Sequence, residues 1–208
     1  MKYDDIHQQV RRYYRKKIQT HGTVAQGVDW NSPESQRLRF EQLVKICDRN
    51  LTFEVNDYGC GYGALADYLR EKGYAFSYRG FDLCSQMIAS ARKLHAATDR
   101  VVFVGADSEM SQADYTLASG IFNVKLLTPT EQWEEYLLHT LRSIDSLSTR
   151  GFAFNALTKY SDAEFRRSDL YYADPLFLFN YCKTAFSRFV SLIHDYPLYE
   201  FTILVRKE

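Results

Sequence analysis

Apolar positions along the chain change period several times, and the changes divide it into elements. Over residues 3–19, Tyr3, Ile6, Val10, Tyr13 or Tyr14, and Ile18 recur at helical spacing, with the basic cluster Arg11, Arg12, Arg15, Lys16 and Lys17 on the same segment. A polar, glycine-bearing stretch follows at 21–31. Ser32-Pro33-Glu34 then reads as a helix start, with a hydroxyl cap and proline in the first turn. That helix is expected to reach about Arg49, with Leu38, Leu43, Ile46 and Cys47 turned inward. Beyond it, short apolar runs alternate with helical spacing. Strands are predicted at 52–57, 74–82, 101–104, 114–122 and 151–155. The helices between them are expected to end near Lys72, to span 85–98, and to span 129–148 behind a Thr128 cap. Such alternation implies a mostly parallel sheet with right-handed crossovers. A long connection, 156–174, precedes a helix opened by Asp174-Pro175 and reaching about Phe186. Two last strands, 188–194 and 199–206, are joined by Asp195-Tyr196-Pro197-Leu198, too short for a crossover, so they form an antiparallel hairpin. The fold class is therefore α/β: seven strands, mostly parallel, a C-terminal antiparallel hairpin, and helices on both faces.

Composition narrows the partners. A length of 208 residues suits one domain with a full core. Basic and acidic residues balance at 26 each, which disfavours a polyanion-binding surface, so nucleic acid is an unlikely partner. The basic cluster on the first helix reads as a solvated face, with a phosphate-binding patch as the sharper alternative. No apolar run reaches 18 residues and the first residues carry no apolar core, so neither a membrane span nor a secretory signal is expected. Cys47, Cys60, Cys84 and Cys182 lie far apart, which predicts no metal site and no disulfide framework. A cytoplasmic location is the expectation.

The densest chemistry is Asp57-Tyr58-Gly59-Cys60-Gly61-Tyr62-Gly63, at a strand-to-helix turn. Glycines there allow a ligand close to the backbone. Gly59-x-Gly61-x-x-Ala64 also fits a dinucleotide fingerprint, and Asp82, 23 residues after Gly59, suits a ribose in either case. Asp57 separates the two. Beside a pyrophosphate it would repel, whereas a cationic ligand would find it favourable. The bland reading of Asp57 is a helix cap.

This turn resembles motif I of the class I S-adenosylmethionine-dependent methyltransferases. Gly80-Phe81-Asp82-Leu83-Cys84-Ser85-Gln86-Met87 is similar to that family's second element, Ala106-Asp107-Ser108 to its adenine-contacting element, and Ala113-Asp114-Tyr115 with Leu117-Ala118-Ser119-Gly120 to its fourth strand and tip. The resemblance covers about 51–155 and implies a single Rossmann-like domain over 1–208. Its parts would be N-terminal helices and lid (1–50), cofactor-binding core (51–155), acceptor-side insertion and helix (156–187) and hairpin (188–208). It also implies S-adenosyl-L-methionine as cofactor. Asp57, with Gly59, Cys60 and Gly61, would hold the methionine end, and Asp82 the ribose hydroxyls. Leu83 and Met87 would pack on adenine, Met87 being equally readable as plain core. Asp107, between Ala106 and Ser108, would accept from the adenine amino group. Ser119 and Gly120 would lie beside the sulfonium.

The acceptor is expected to be a small polar molecule, methylated at oxygen or nitrogen: a metabolite, sugar or natural-product precursor. The Asp/Asn-Pro-Pro-aromatic element of nucleobase amino-methylation is missing after the fourth strand, where Ser119-Gly120-Ile121-Phe122-Asn123 stands instead. Segments 21–31, 119–123 and 155–174 would form the acceptor side, with Trp30, Asn123, Arg166, Tyr171 and Tyr172 as candidate contacts. His194, beside Asp195, and His21 are the candidate bases, each also readable as an ordinary structural histidine. The competing readings are a nicotinamide-dependent oxidoreductase, an RNA methyltransferase and a non-catalytic cofactor binder.

Overall fold

The computed structural model describes residues 3–207. One seven-stranded sheet runs through it in the order β3-β2-β1-β4-β5-β7-β6. The strands are β1 (Phe53–Tyr58), β2 (Phe76–Phe81), β3 (Val101–Val104), β4 (Ala113–Ala118), β5 (Ser148–Leu157), β6 (Phe189–Ile193) and β7 (Glu200–Arg206). Pairings from β3 through β5 are parallel. β7 runs antiparallel to both β5 and β6, so the predicted hairpin docks with its second strand inward and β6 at the edge.

Helices cover both faces. On one, α2 (Pro33–Leu43), α3 (Ala64–Glu71) and α4 (Ser85–Leu94) close a core containing Phe40, Leu43, Leu65, Leu69, Ile88 and Ala91. On the other, α5 (Thr130–Ser146) and α6 (Pro175–Ala185) pack Trp133, Leu137, Leu141 and Leu178 against Phe152, Phe154 and Phe201. α1 (Asp4–His21) reaches from α5, where Tyr3 and His7 meet the Tyr136 ring, to α4, where Ile18 packs on Cys84 and Met87. That path lays it over the carboxyl ends of the strands. No helix among the described residues is long and apolar enough to cross a membrane.

Several boundaries differ from the sequence reading, each for a local reason. α2 starts where expected: the Ser32 hydroxyl accepts from the Ser35 amide in a capping box, with Pro33 in the first turn. It ends at Leu43 and tightens into a short 3₁₀ turn, Val44–Ile46, instead of reaching Arg49. Leu38 is only half-buried, while Arg39 is buried in its place. β4 stops at Ala118 rather than 122, because Gly120 (φ 70°) turns the chain out of the sheet. β5 runs on to Leu157, since β7 offers it partners from Gly151 to Leu157. Thr128 does not cap α5; Pro129 stands at that position and no side chain caps the helix. Asp174 does cap α6, accepting from the amides of Leu176 and Phe177.

Candidate active site

At the end of β1 the chain turns through Gly59, Cys60 and Gly61, and hydrogen bonds lock that turn to β2. The amides of Gly59 and Cys60 both donate to the Phe81 carbonyl, at 2.7 and 2.8 Å. The Gly61 amide donates to Asp82 Oδ2 at 2.9 Å, and the Cys84 amide to Asp82 Oδ1 at 2.7 Å. Gly61 adopts φ 55°, where a side chain is disfavoured, and a Cβ there would lie 2.7 Å from Val28 Cγ1. Three N–H groups of the turn are thus engaged inside the protein. A pyrophosphate needs such donors. Beside the turn stand the carboxylates of Asp57 and Asp82, which suit a cation.

Both carboxylates of the cleft are held in costly surroundings. Asp57 is 3% exposed and accepts the Tyr78 hydroxyl at 2.6 Å. Burial pushes its carboxyl up to about 7, the Tyr78 hydrogen bond opposing that rise and the charge of Asp82 adding to it. Burial likewise raises Asp82 to about 6, against the two amides it accepts from. No Lys, Arg or His among the described residues lines this cleft. Apart from Gln36 and Ser119, its other walls are apolar or aromatic, including Tyr58, Leu83, Met87 and Tyr136, with Val10 and Tyr14 of α1 above. The Ser119 hydroxyl is buried in it without a partner.

A second cavity, of about 430 Å³ against about 90 Å³ for the first, adjoins it and shares Tyr14, Val28 and Trp30 as a common wall. Its floor holds a buried ion pair: Arg39 donates through Nε and Nη2 to the two Glu200 oxygens, each at 2.8 Å. Asn123 Nδ2 also reaches Glu200, at 3.3 Å, while Asn123 Oδ1 accepts the Leu157 amide. The Arg39 guanidinium lies 3.9 Å from the centre of the Trp30 ring. Trp30 in turn presses on Gly120, where a Cβ would come within 2.1 Å of the indole. Gly120→Ala adds that clash to a left-handed backbone, so we expect it to cost about 1–3 kcal/mol and to change the Trp30 fluorescence. An unshifted emission spectrum would mean that the indole does not rest on this turn.

Most of the predicted cofactor residues come together. Asp57, Gly59, Cys60 and Gly61 line the first cavity, as do Asp82, Leu83, Met87 and Ser119. Met87 is also 1% exposed core against Ile18, so both readings of it hold. Ala106, Asp107 and Ser108 lie just outside, around the short 3₁₀ turn Asp107–Glu109 after β3, and the charge of Asp107 acts on Tyr58 and Tyr136 of the cleft. Trp30, Gly120, Asn123 and Tyr172 line the second cavity.

Besides Ala106, Asp107 and Ser108, four predicted residues line neither cavity. His21 is exposed at the C-terminal end of α1. His194 is exposed past β6, its ring against Tyr160 and Phe201. Arg166 points its guanidinium at the backbone oxygens of Ser161 and Lys159, and it is Arg167 that lines the cavity. Tyr171 is buried in the α5 core and donates to Glu134. Side-chain chemistry alone does not determine which way each of these segments turns. Arg39 and Glu200 were missed. Gln36, Arg39, Phe40 and Leu43 stand at helix-face spacing, and the two polar members of that stripe are the signal that was present.

Known proteins agree with this geometry. Residues 55–145 match the pattern of a methyltransferase domain family. A Mycobacterium tuberculosis protein assigned as a methyltransferase, Rv1506c, is 48% identical over 155 residues, covering 74% of this chain and 93% of the relative. The N-methyltransferase NodS of Bradyrhizobium japonicum, solved with S-adenosylhomocysteine, superposes with a TM-score of 0.65 at 13% identity, over 94% of this chain and 97% of that one. Magnesium protoporphyrin IX methyltransferase of Synechocystis, also solved with S-adenosylhomocysteine, gives 0.63 at 16% identity over 84% of each chain. The chain belongs to the class I S-adenosylmethionine-dependent methyltransferases. Its cofactor is S-adenosylmethionine, and the nicotinamide alternative is thereby overturned, as is the non-catalytic one.

Proposed function

We propose that the protein transfers a methyl group from S-adenosylmethionine to an oxygen or nitrogen of a small polar acceptor, such as a metabolite, sugar or natural-product precursor. The observation that carries the cofactor side is the first cavity: one buried and one half-buried carboxylate, no basic side chain among the described residues lining it, and a glycine turn with three amides already engaged. Bound there, the cofactor supplies a methyl group already activated on a sulfonium. Asp57 and the Gly59 carbonyl accept from the ammonium, and Asp82 accepts from the ribose hydroxyls. Tyr58, Leu83, Met87 and Tyr136 enclose the adenine, with Asp107 at its rim. Val28 and Trp30 rest on the glycine turns, which supports segment 21–31 as a lid over the cofactor.

The second cavity supports the acceptor side, since it adjoins the first across Trp30 and is lined by Asn123, Arg39, Glu200 and Tyr172. His21 and His194 lie outside both cavities, so the proposed catalysis rests on holding the acceptor in line with the methyl group rather than on a histidine base.

Asp82→Ala tests the ribose assignment. Losing hydrogen bonds to a charged acceptor costs about 1.5–3 kcal/mol, so S-adenosylhomocysteine should bind ten- to a hundredfold more weakly by calorimetry. Unchanged affinity in a folded variant would place the ribose elsewhere. For the acceptor, the protein is incubated with methyl-labelled S-adenosylmethionine and a fractionated cell extract. Label should enter the low-molecular-weight fraction and survive nuclease and protease. Label confined to RNA would overturn this reading and give Arg11–Lys17 a functional role.

A further inference from the structure

We propose that the second cavity is a binding site for a neutral, polyhydroxylated acceptor of sugar type, and not for a phosphorylated or carboxylated one; this rests on the methyltransferase reading above. Charge decides against an anion. The cavity is lined by four charged side chains, and each already has an opposite partner. Arg39 forms its two-pronged bond with Glu200, 8% and 1% exposed respectively. Arg167 holds Asp169, at 3.0 and 2.6 Å. Asp29 holds Lys17 and also accepts the Tyr13 hydroxyl. At the floor, an anionic acceptor would have to take the Arg39 guanidinium away from Glu200, leaving an uncompensated charge in a buried place; the Arg167–Asp169 pair is partly solvated and opposes an anion far less. A cationic acceptor would face the same difficulty at Glu200 and Asp29.

What the cavity offers instead suits hydroxyl groups. Carboxylate, amide and guanidinium groups are fixed by their own pairings, yet keep acceptor and donor capacity to spare: a carboxylate has about four lone-pair sites, and Glu200 is engaged by two residues. Planar groups of this kind bridge adjacent hydroxyls of a ring. Aromatic rings form much of the remaining wall, Trp30, Tyr172, Phe165 and Tyr199, the last two 5.8 Å apart, alongside aliphatic side chains such as Val124, Leu157 and Leu170. The C–H faces of a pyranose pack on such rings, while its hydroxyl edge turns to the polar floor. The volume of about 430 Å³ lies in the range of small-molecule sites.

A polar row leads from this floor to the methyl-transfer end. Continuing the β4–β5 and β5–β7 registers aligns Ser119, Asn155 and Thr202 on adjacent strands, on the face that α2 covers. Asn155 is fully buried; its Oδ1 accepts the Gly120 amide at 2.6 Å and its Nδ2 has no partner in the protein, as is also true of the Ser119 hydroxyl. Of these two unpartnered polar atoms, the Ser119 hydroxyl lines the first cavity beside Gly120, which lines the second, and is the group an acceptor hydroxyl can satisfy.

Of the two tryptophans, Trp133 is buried in the core with its indole donating to Phe122, so Trp30 reports on the cavity. The test titrates methyl glycosides of hexoses and 6-deoxyhexoses, and the matching hexose 1-phosphates, into the protein saturated with S-adenosylhomocysteine. At least one neutral glycoside should change the fluorescence saturably, with an affinity little altered by salt, and Trp30→Phe should abolish the change. In a second measurement that needs no variant, the same glycosides are offered with labelled S-adenosylmethionine to the unmodified protein, and one of them should become labelled. Tighter, salt-sensitive binding of the phosphates overturns the proposal, and so does silence from every neutral glycoside while S-adenosylhomocysteine still binds. Failure of S-adenosylhomocysteine to bind would instead overturn the cofactor assignment itself.

Discussion

Asp57→Asn should weaken S-adenosylmethionine binding about ten- to a hundredfold and, in the same protein without ligand, raise thermal stability at pH 8. The two effects share one cause. Asp57 is a buried carboxylate whose pKa is raised to about 7, from an unfolded value near 3.8, by burial and the nearby Asp82 charge against the Tyr78 hydrogen bond. A ligand ammonium compensates it, and losing an interaction with a charged group costs about 1.5–3 kcal/mol. Without ligand the sign reverses. A carboxyl whose folded pKa is raised contributes stability below the unfolded pKa and loses that contribution as pH climbs through the folded one. Above pH 7 the ionised, buried Asp57 is therefore a burden that Asn removes. One pKa unit is about 1.4 kcal/mol; half of the shift, realised, gives about 2 kcal/mol at pH 8, or about 4–8 °C in a chain of this size. The advantage should fade towards pH 5. In the unmodified protein, cofactor affinity should fall as pH drops below 7 and Asp57 takes up its proton, more steeply below 6 where Asp82 follows. In the Asn variant the upper part of that dependence should disappear. Calorimetric affinities and melting temperatures across pH 5–8 measure both. A variant that binds as tightly as the parent, or melts lower at pH 8, would show that Asp57 does not face the cation.

The parts of this site that could be read from sequence are those written locally. Asp57, Gly59 and Gly61 are alternate positions on a strand and its turn, and Asp82 directly follows the next strand, so spacing alone brings them to one cleft. The hairpin was equally local, because a four-residue connection leaves no other geometry. The acceptor side is different. Arg39 and Glu200 are 161 positions apart and meet only because β7 docks beside β5 and α2 lies across both. Nothing near Glu200 marks it: it opens an apolar strand and reads as an edge residue. The errors are of the same kind. Tyr171 and Tyr172 are neighbours of identical chemistry, yet one faces the α5 core and the other the cavity. Arg166 and Arg167 split likewise. An irregular segment has no period, so alternation cannot tell which of two neighbours turns inward, and the choice falls to long-range packing.

The Arg39–Glu200 pair should be among the most sensitive positions outside the cofactor cleft. Glu200→Ala leaves a guanidinium that is buried under Trp30 with the Ser35 carbonyl as its remaining hydrogen-bond partner, and strands Asn123 Nδ2 as well. Breaking a buried pair from one side costs about 3–5 kcal/mol, which for about 200 residues lowers the melting temperature by about 6–20 °C. The double variant Arg39→Met with Glu200→Leu removes both charges in roughly the same volume. Replacing a whole buried pair in this way is often neutral or stabilising, so most of the lost stability should return and a double-mutant cycle should show strong coupling. Cofactor affinity should survive in the double variant, because neither residue lines the shared face of Asp57 and Asp82. Acceptor methylation should not survive, since the floor of the second cavity has become apolar and Trp30 has lost the cation beneath it. If Glu200→Ala costs under about 1 kcal/mol, as an exposed pair would, the pair is solvated and cannot be what fixes Trp30 between the two cavities.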